Sequence, residues 1–331
     1  MTAKSGDGMR NSYMDFLKGI AIISVIAGHS LSDIRGMDIL FNLIYSFHMP
    51  LLFFVSAYIE EQNRAKYAEK EGQMLFRRMS GLLLPYLSWT VIYAAIDGHL
   101  WEAGAVGFIS DLLGYRSNGL WFFPVLFGLK VMHVLYWIIR RKTGRDTFVT
   151  DLLLLGGLEI VIVLLAVLTR QPYIVNMLSY AIPYFFAVIL VKHEVIQKLV
   201  NSEWITAGAI LVYALVFPFF SFYNTHWTTQ VLRIGLALCV IVICCRFNDD
   251  KGRWRTNRFY PAICVCGQNS LAVYVLHGFL MDYKDYFNMI DSVVIVGIVS
   301  VSLALLVAAV CITVAKVIGI SPWCRKILFG K

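Results

Sequence analysis

The sequence predicts an all-α, polytopic membrane protein of about ten transmembrane helices with both termini cytoplasmic. Three observations carry this. First, 59% of the 331 residues are hydrophobic, only 15% are charged, and mean hydropathy is +0.68. A soluble domain is about 45–50% apolar with roughly 25% charge, so a soluble chain of this composition could not cover its own core. Second, the apolar residues fall in runs of about 20, the length that matches the hydrocarbon thickness of a bilayer as helix. The alternating ten-residue segments of a membrane β-barrel are absent. Third, the Lys and Arg residues are distributed unevenly between alternate loops. With the N-terminus inside, 22 of the 29 lie in inner segments and four in outer loops, Arg35, Arg116, Arg170 and Lys284. This bias sets the orientation and supports the count of ten, since losing one span would scramble it. Topology therefore explains the net charge of +8 better than a nucleic-acid partner does.

The ten spans run near 14–32, 39–59, 79–97, 119–139, 147–168, 173–191, 204–222, 228–246, 260–281 and 292–320. No linker, low-complexity segment or internal repeat interrupts them, so residues 1–331 read as one domain. The first run carries Asp15 and Lys18, is too long for a signal-peptide core and leads into another span, so it reads as a retained helix. Its stretch "YMDFLKGIAIISVIAGHS" places Lys18 eleven residues before His29. That is within about 20° of one helical face and roughly 16 Å along the axis. The spacing suits a long anionic ligand lying along the helix. Equally, Lys18 could snorkel to lipid headgroups while His29 packs between helices.

The second run, "SFHMPLLFF", carries His48 two residues before Pro50. Because Pro50 donates no N–H, the Ser46 carbonyl loses its helical partner, and a kink with a polar pocket is expected there. The short loop between the first two spans makes them antiparallel neighbours, so His29 and His48 can face one cavity. No third ligand lies at metal spacing beside them. Arg77 and Arg78 stand just before the third run. In the fourth, Lys130 and His133 share a face, as do Asn118 and Trp121 before them, and Trp121 also suits an interfacial anchor. The fifth holds Glu159 with no evident partner. The eighth holds Arg233, which fits an inter-helix salt bridge or a ligand contact equally well. The ninth reads "GQNSLAVYVLH", with Ser270, Tyr274 and His277 on one face; Asn269 and Ser270 suit inter-helix hydrogen bonds as well as substrate contact. Ionisable groups inside spans mark function by default. The seven cysteines are odd in number and sit mostly in apolar runs, so they read as reduced and structural.

Four segments together resemble the membrane-bound acyltransferase-3 family, and specifically its sugar (fucose-type) O-acetylase branch. "DFLKGIAIISVIAGH" is similar to the family's basic-x10-His signature, Lys18 to His29. "FHMPLLFFVSAYI" resembles the branch's second-span motif, and "RRMSGLLLPY" its basic approach to the third span. "LWF" and "GQNSLAVYVLH" resemble later segments. Two positions depart from the pattern: Lys18 stands where the family often has Arg, and Gly81 where a second basic residue follows Arg78.

The resemblance implies an O-acyltransferase of the inner (cytoplasmic) membrane. It would move an acyl group, usually acetyl, from cytoplasmic acetyl-CoA to a hydroxyl of a cell-surface or lipid-linked carbohydrate, with no tightly bound cofactor and no metal. On this reading Lys18, Arg77 and Arg78 hold the phosphates of CoA. His29 is the general base, and His48 orients the acceptor or stabilises the oxyanion. Trp121, Lys130, Asn269, Ser270, Tyr274 and His277 are further acceptor or oxyanion candidates. With no Ser-His-Asp set or GxSxG elbow, direct transfer is favoured over an acyl-enzyme. The competing class is a proton-coupled transporter or flippase using His29 and His48 as relays. Against it, no matched pair of interrupted spans of the inverted-repeat kind is visible.

Overall fold

A computed structural model describes residues 11–64, 71–96, 104, 119–145, 147–224, 226–247, 253–281, 287, 289–290 and 292–330; for 71–80 and 253–254 it describes the backbone alone. All regular structure among them is helical. In chain order the helices are α1 (Ser12–Leu31), α2 (Asp38–Tyr45), α3 (His48–Gln62), α4 (Glu71–Ile96), α5 (Phe122–Thr143), α6 (Phe148–Thr169) and α7 (Pro172–Lys192). They continue with α8 (Glu194–Val200), α9 (Glu203–Val216), α10 (Trp227–Arg246), α11 (Phe259–Gln268), α12 (Ser270–Leu276), α13 (Val293–Ile318) and α14 (Pro322–Phe329). Single 3-10 turns extend α9 over Phe217–Phe219 and α12 over His277–Leu280.

Each of the ten expected segments falls on one of these helices or on a pair. Seven segments are long and apolar enough to cross a bilayer unaided, and two more qualify only as bent pairs. The apolar part of α4, Gly81–Ile96, is shorter. The ninth run is thus not a straight span, and the seventh lies on α9 and its 3-10 turn, beyond the α8–α9 bend. α8 and α9 meet at 62°, and α11 and α12 at 70° across Asn269. The second run breaks at Ser46 and Phe47, where the kink is expected. Pro50 lies in the first turn of α3, where a missing N–H costs no helical bond. Arg77 and Arg78 lie on α4, but their side chains, like Asn118, fall outside the described residues.

Local chemistry explains the helix starts. Asn11 Oδ1 accepts from the N–H groups of Tyr13 (3.1 Å) and Met14 (3.3 Å), two of the donors that a helix start leaves orphaned. Thr147 and Ser292 cap α6 and α13 in the same way. At the other end of α5, Gly144 closes the helix in the left-handed conformation (φ 62°).

α1 is the central helix. Inside the protein 72% of its most apolar stretch is buried, against 22% for α6 and 28% for α13. The outer helices instead turn large apolar side chains outward, such as Leu153, Leu168, Val294 and Leu306. An apolar exterior is what a lipid solvent allows. α1 packs mainly on α11, α3 and α13, and its approach to α11 brings backbones together. A Cβ at Gly267 would lie 1.8 Å from the Asp15 carbonyl oxygen, and one at Gly19 would lie 2.0 Å from that of Ile263. Small residues are what permit such contact between membrane helices. Gly267→Ala is expected to lower stability by about 1–3 kcal/mol, the range for overpacking a filled interior. The thermal midpoint of the purified protein in detergent measures this, and an unchanged midpoint would show that the two helices are free to part.

Candidate active site

Helices that alternate in direction gather their ends at two poles. At the pole where α1, α4 and α12 end and α2, α5, α7 and α10 begin lies a cavity of about 730 Å³. Its side chains come from separate helices. α1 contributes Val25 and His29, one turn apart, with His29 exposed into the space. The α2–α3 break contributes Tyr45 and His48, α7 contributes Asn176 and Tyr180, and α10 contributes Arg233. Tyr274 and His277 come from the far side of the α11–α12 bend, and Trp121 from the start of α5.

Three imidazoles therefore meet one space. The rings of His29 and His277 lie 5.4 Å apart. His277 Nδ1 is 2.7 Å from the Tyr274 carbonyl, and His48 Nδ1 is 2.7 Å from the Ile44 carbonyl. A carbonyl only accepts, so both Nδ1 atoms carry the proton. Each ring's Nε2 is then the basic nitrogen. The backbone thus fixes the tautomers of His48 and His277. No group of three His, Cys, Asp or Glu side chains close enough to hold a metal occurs among the described residues.

The walls are aromatic and rigid. Tyr180 stacks on Phe53 (centroids 4.4 Å) and on Trp121 (5.4 Å), and Tyr45 stands edge-on to His48 (4.7 Å). Tyr274 donates its hydroxyl hydrogen to the Gly119 carbonyl, pinning the segment before α5, and Tyr93 donates to the Val275 carbonyl (2.9 Å). Aromatic faces are electron-rich and pack well against the C–H face of a flat polar ligand, while the rim hydroxyls and imidazoles supply hydrogen bonds. Arg233 is buried beside Tyr180, its guanidinium 5.3 Å from the ring centre, and its Nε has no hydrogen-bond partner.

The structure brings together His29, His48, Trp121, Arg233, Tyr274 and His277 of the residues singled out in the sequence. It does not bring Lys130, Asn269 or Ser270 to the cavity. Lys130 is ion-paired with Glu60 of α3, and its neighbour on the same face, His133, donates through Nε2 to Glu61 (2.9 Å). The shared face of Lys130 and His133 is therefore explained by two consecutive carboxylates opposite. Asn269 donates its side-chain amide back to the Val265 carbonyl (2.9 Å) at the bend, and Ser270 opens α12. Lys18 sits half-buried on α1 toward the opposite pole. Tyr45, Tyr93, Asn176 and Tyr180 were not visible as site residues in the sequence, where each reads as one more residue of an apolar run.

That opposite pole is built on charge. Asp151 of α6 is fully buried and accepts from Arg140 Nε (2.5 Å), Tyr136 hydroxyl (2.8 Å), Lys192 Nζ (2.7 Å) and His193 Nε2 (2.8 Å). One carboxylate thereby ties together α5, α6 and α7.

Residues 11–317 match the protein family described as an acyltransferase domain. Two curated relatives match a shorter stretch. The nodulation protein NolL of Sinorhizobium fredii is 32% identical over 100 residues, 28% of this chain and 26% of its own length. NolL of Mesorhizobium japonicum is 35% identical over 95 residues, 27% of this chain and 25% of its own length. The chain thus spans about a quarter of the length of the curated relatives it matches. No solved structure matches.

Proposed function

The chain belongs to the acyltransferase family that matches residues 11–317, with several membrane-crossing helices, and from that premise we propose that it is an O-acyltransferase of the sugar O-acetylase (fucose-type) branch. Its donor is cytoplasmic acyl-CoA, with acetyl as the group moved, and its acceptor is a hydroxyl of a cell-surface or lipid-linked carbohydrate. We take the chain as one domain of ten spans in the inner membrane, with both termini cytoplasmic, the two bent pairs and the shorter α4 segment included. In that orientation the Lys- and Arg-rich pole faces the cytoplasm and the cavity lies in the outer half.

The observation that carries this reading is the convergence of His29, His48 and His277 on one aromatic-walled cavity. His29, the most accessible of the three, takes the proton of the acceptor hydroxyl. The oxygen attacks the thioester carbonyl, the C–S bond breaks, and the proton passes to the departing thiolate of CoA. General-base help of this kind contributes about 10²–10⁴-fold. Proton donors at the cavity wall steady the oxyanion that forms in between. Lys18, Arg77 and Arg78 hold the CoA phosphates at the cytoplasmic mouth, and the slim pantetheine arm follows α1 toward His29. Trp121 and Tyr180 seat the sugar ring.

The test is a comparison of surface and lipid-linked glycans by mass spectrometry from three strains: the intact host, a deletion, and the deletion carrying His29→Ala protein verified in the membrane. One acyl mass is expected to vanish in the last two, and that mass names the group transferred. Glycans unchanged in all three would overturn glycan acylation and turn attention to transport. Loss in the deletion but not with His29→Ala would keep the enzyme and remove His29 as its base.

A further inference from the structure

We propose that the acceptor is anionic and that Arg233 is the seat of its carboxylate or phosphate oxygens. This rests on the acyl-transfer reading above and adds the class of acceptor. A guanidinium stays charged under all physiological conditions, and inside a membrane protein it is normally matched by a counter-charge. Other cations within the bundle obey this: buried Arg140 and half-buried Lys192 share Asp151, and half-buried Lys130 has Glu60. Arg233 departs from it. It is 8% exposed, its Nε is buried without a hydrogen-bond partner, and it takes part in none of the ion pairs among the described residues.

Its surroundings point the charge at the ligand. Arg233 lines the cavity that holds the three histidines, and no Asp or Glu is among the residues lining it. Tyr180 lies beside the guanidinium (5.3 Å) and itself packs on Phe53 and Trp121, so the charge has an aromatic support but no counter-ion. A planar fork of N–H donors held in this way matches the oxygen pair of a carboxylate or phosphate. A neutral sugar would leave the charge uncompensated when it displaced water from the cavity.

The experiment takes the glycan unit whose acyl mass is lost in the deletion strain and determines its charge, with Arg233→Gln and Arg233→Lys complements run beside it. An acidic unit is expected. Arg233→Gln is expected to lose the acyl mass by at least tenfold while the purified protein melts close to the parent, since no hydrogen bond or ion pair is removed and only the contact with Tyr180 changes; Arg233→Lys is expected to retain part of it. Charge that disappears on carboxyl reduction identifies an acidic sugar, and charge that disappears with hydrofluoric acid identifies a phosphate, either of which supports the proposal. A neutral acylated unit overturns it, as does full acylation by Arg233→Gln protein or a dicarboxylic acyl group on a neutral sugar, which would move the anion to the donor. A deletion that changes no glycan instead overturns the acyl-transfer reading, and this proposal falls with it.

Discussion

His29→Ala is expected to lower the turnover of acyl transfer by about 10²–10⁴-fold, the usual contribution of a positioned general base, with little change in the KM for acyl-CoA. The separation follows from geometry. His29 lies at the far end of α1 from Lys18, so the group that takes the proton is roughly 16 Å from the one proposed to hold phosphate. His29 is exposed into the cavity, so its truncation widens an existing space and opens no void in the packed interior. His48 differs. It is 4% exposed and bonded to the Ile44 carbonyl, so His48→Ala is expected to lower both stability and activity. His277 faces His29 at 5.4 Å, and groups that act as a unit are not additive. The His29→Ala, His277→Ala double variant should therefore be little slower than His29→Ala alone. Turnover of purified protein with acetyl-CoA and the acceptor identified from cells decides it. A fall of less than tenfold for His29→Ala would rule out that imidazole as the base.

Asp151→Asn is expected to destabilise the protein by about 3–5 kcal/mol, the cost of breaking a buried ionic cluster by removing one partner. Asp151 is fully buried and is the shared acceptor of Arg140 and Lys192. The amide keeps one acceptor oxygen but removes the charge, leaving two cations facing each other at the junction of three helices. Thermal unfolding in detergent measures the loss, and activity per folded molecule at low temperature should stay near that of the parent, because the cluster is remote from the cavity. A variant that melts with the parent would show that water or lipid headgroups already neutralise those cations.

Much of the architecture was legible because lipid selects on average hydropathy, and every expected run contains helix. What a run of apolar residues does not encode is direction. The break at Ser46 and Phe47 falls where Pro50 leaves the Ser46 carbonyl without its helical partner, and local bonds add to it, among them Ser46 Oγ donating to the Leu43 carbonyl (2.7 Å). The bend at Asn269 is likewise set where its N–H is shared between the Val265 and Cys266 carbonyls (both 3.2 Å). In the site, His29 and His48 were readable as neighbours because a short loop joins their helices. Tyr180 and Arg233 were not, since nothing along the chain says that α7 and α10 turn those residues toward α1. Lys130 misled for the converse reason: its placement on a face with His133 was right, but that face serves Glu60 and Glu61.

The glycine contact between α1 and α11 also bears on how the protein is made. Gly19 leaves the ribosome roughly 250 residues before Gly267, a delay of about 10–50 s at ordinary synthesis rates of roughly 5–20 residues per second. Throughout that interval α1 sits in the bilayer with its largest neighbour not yet translated, while His277, which faces His29, follows Gly267 by ten residues. The histidine made first is housed last, so a chain stalled before Tyr274 and His277 is membrane-embedded but lacks one wall of the cavity.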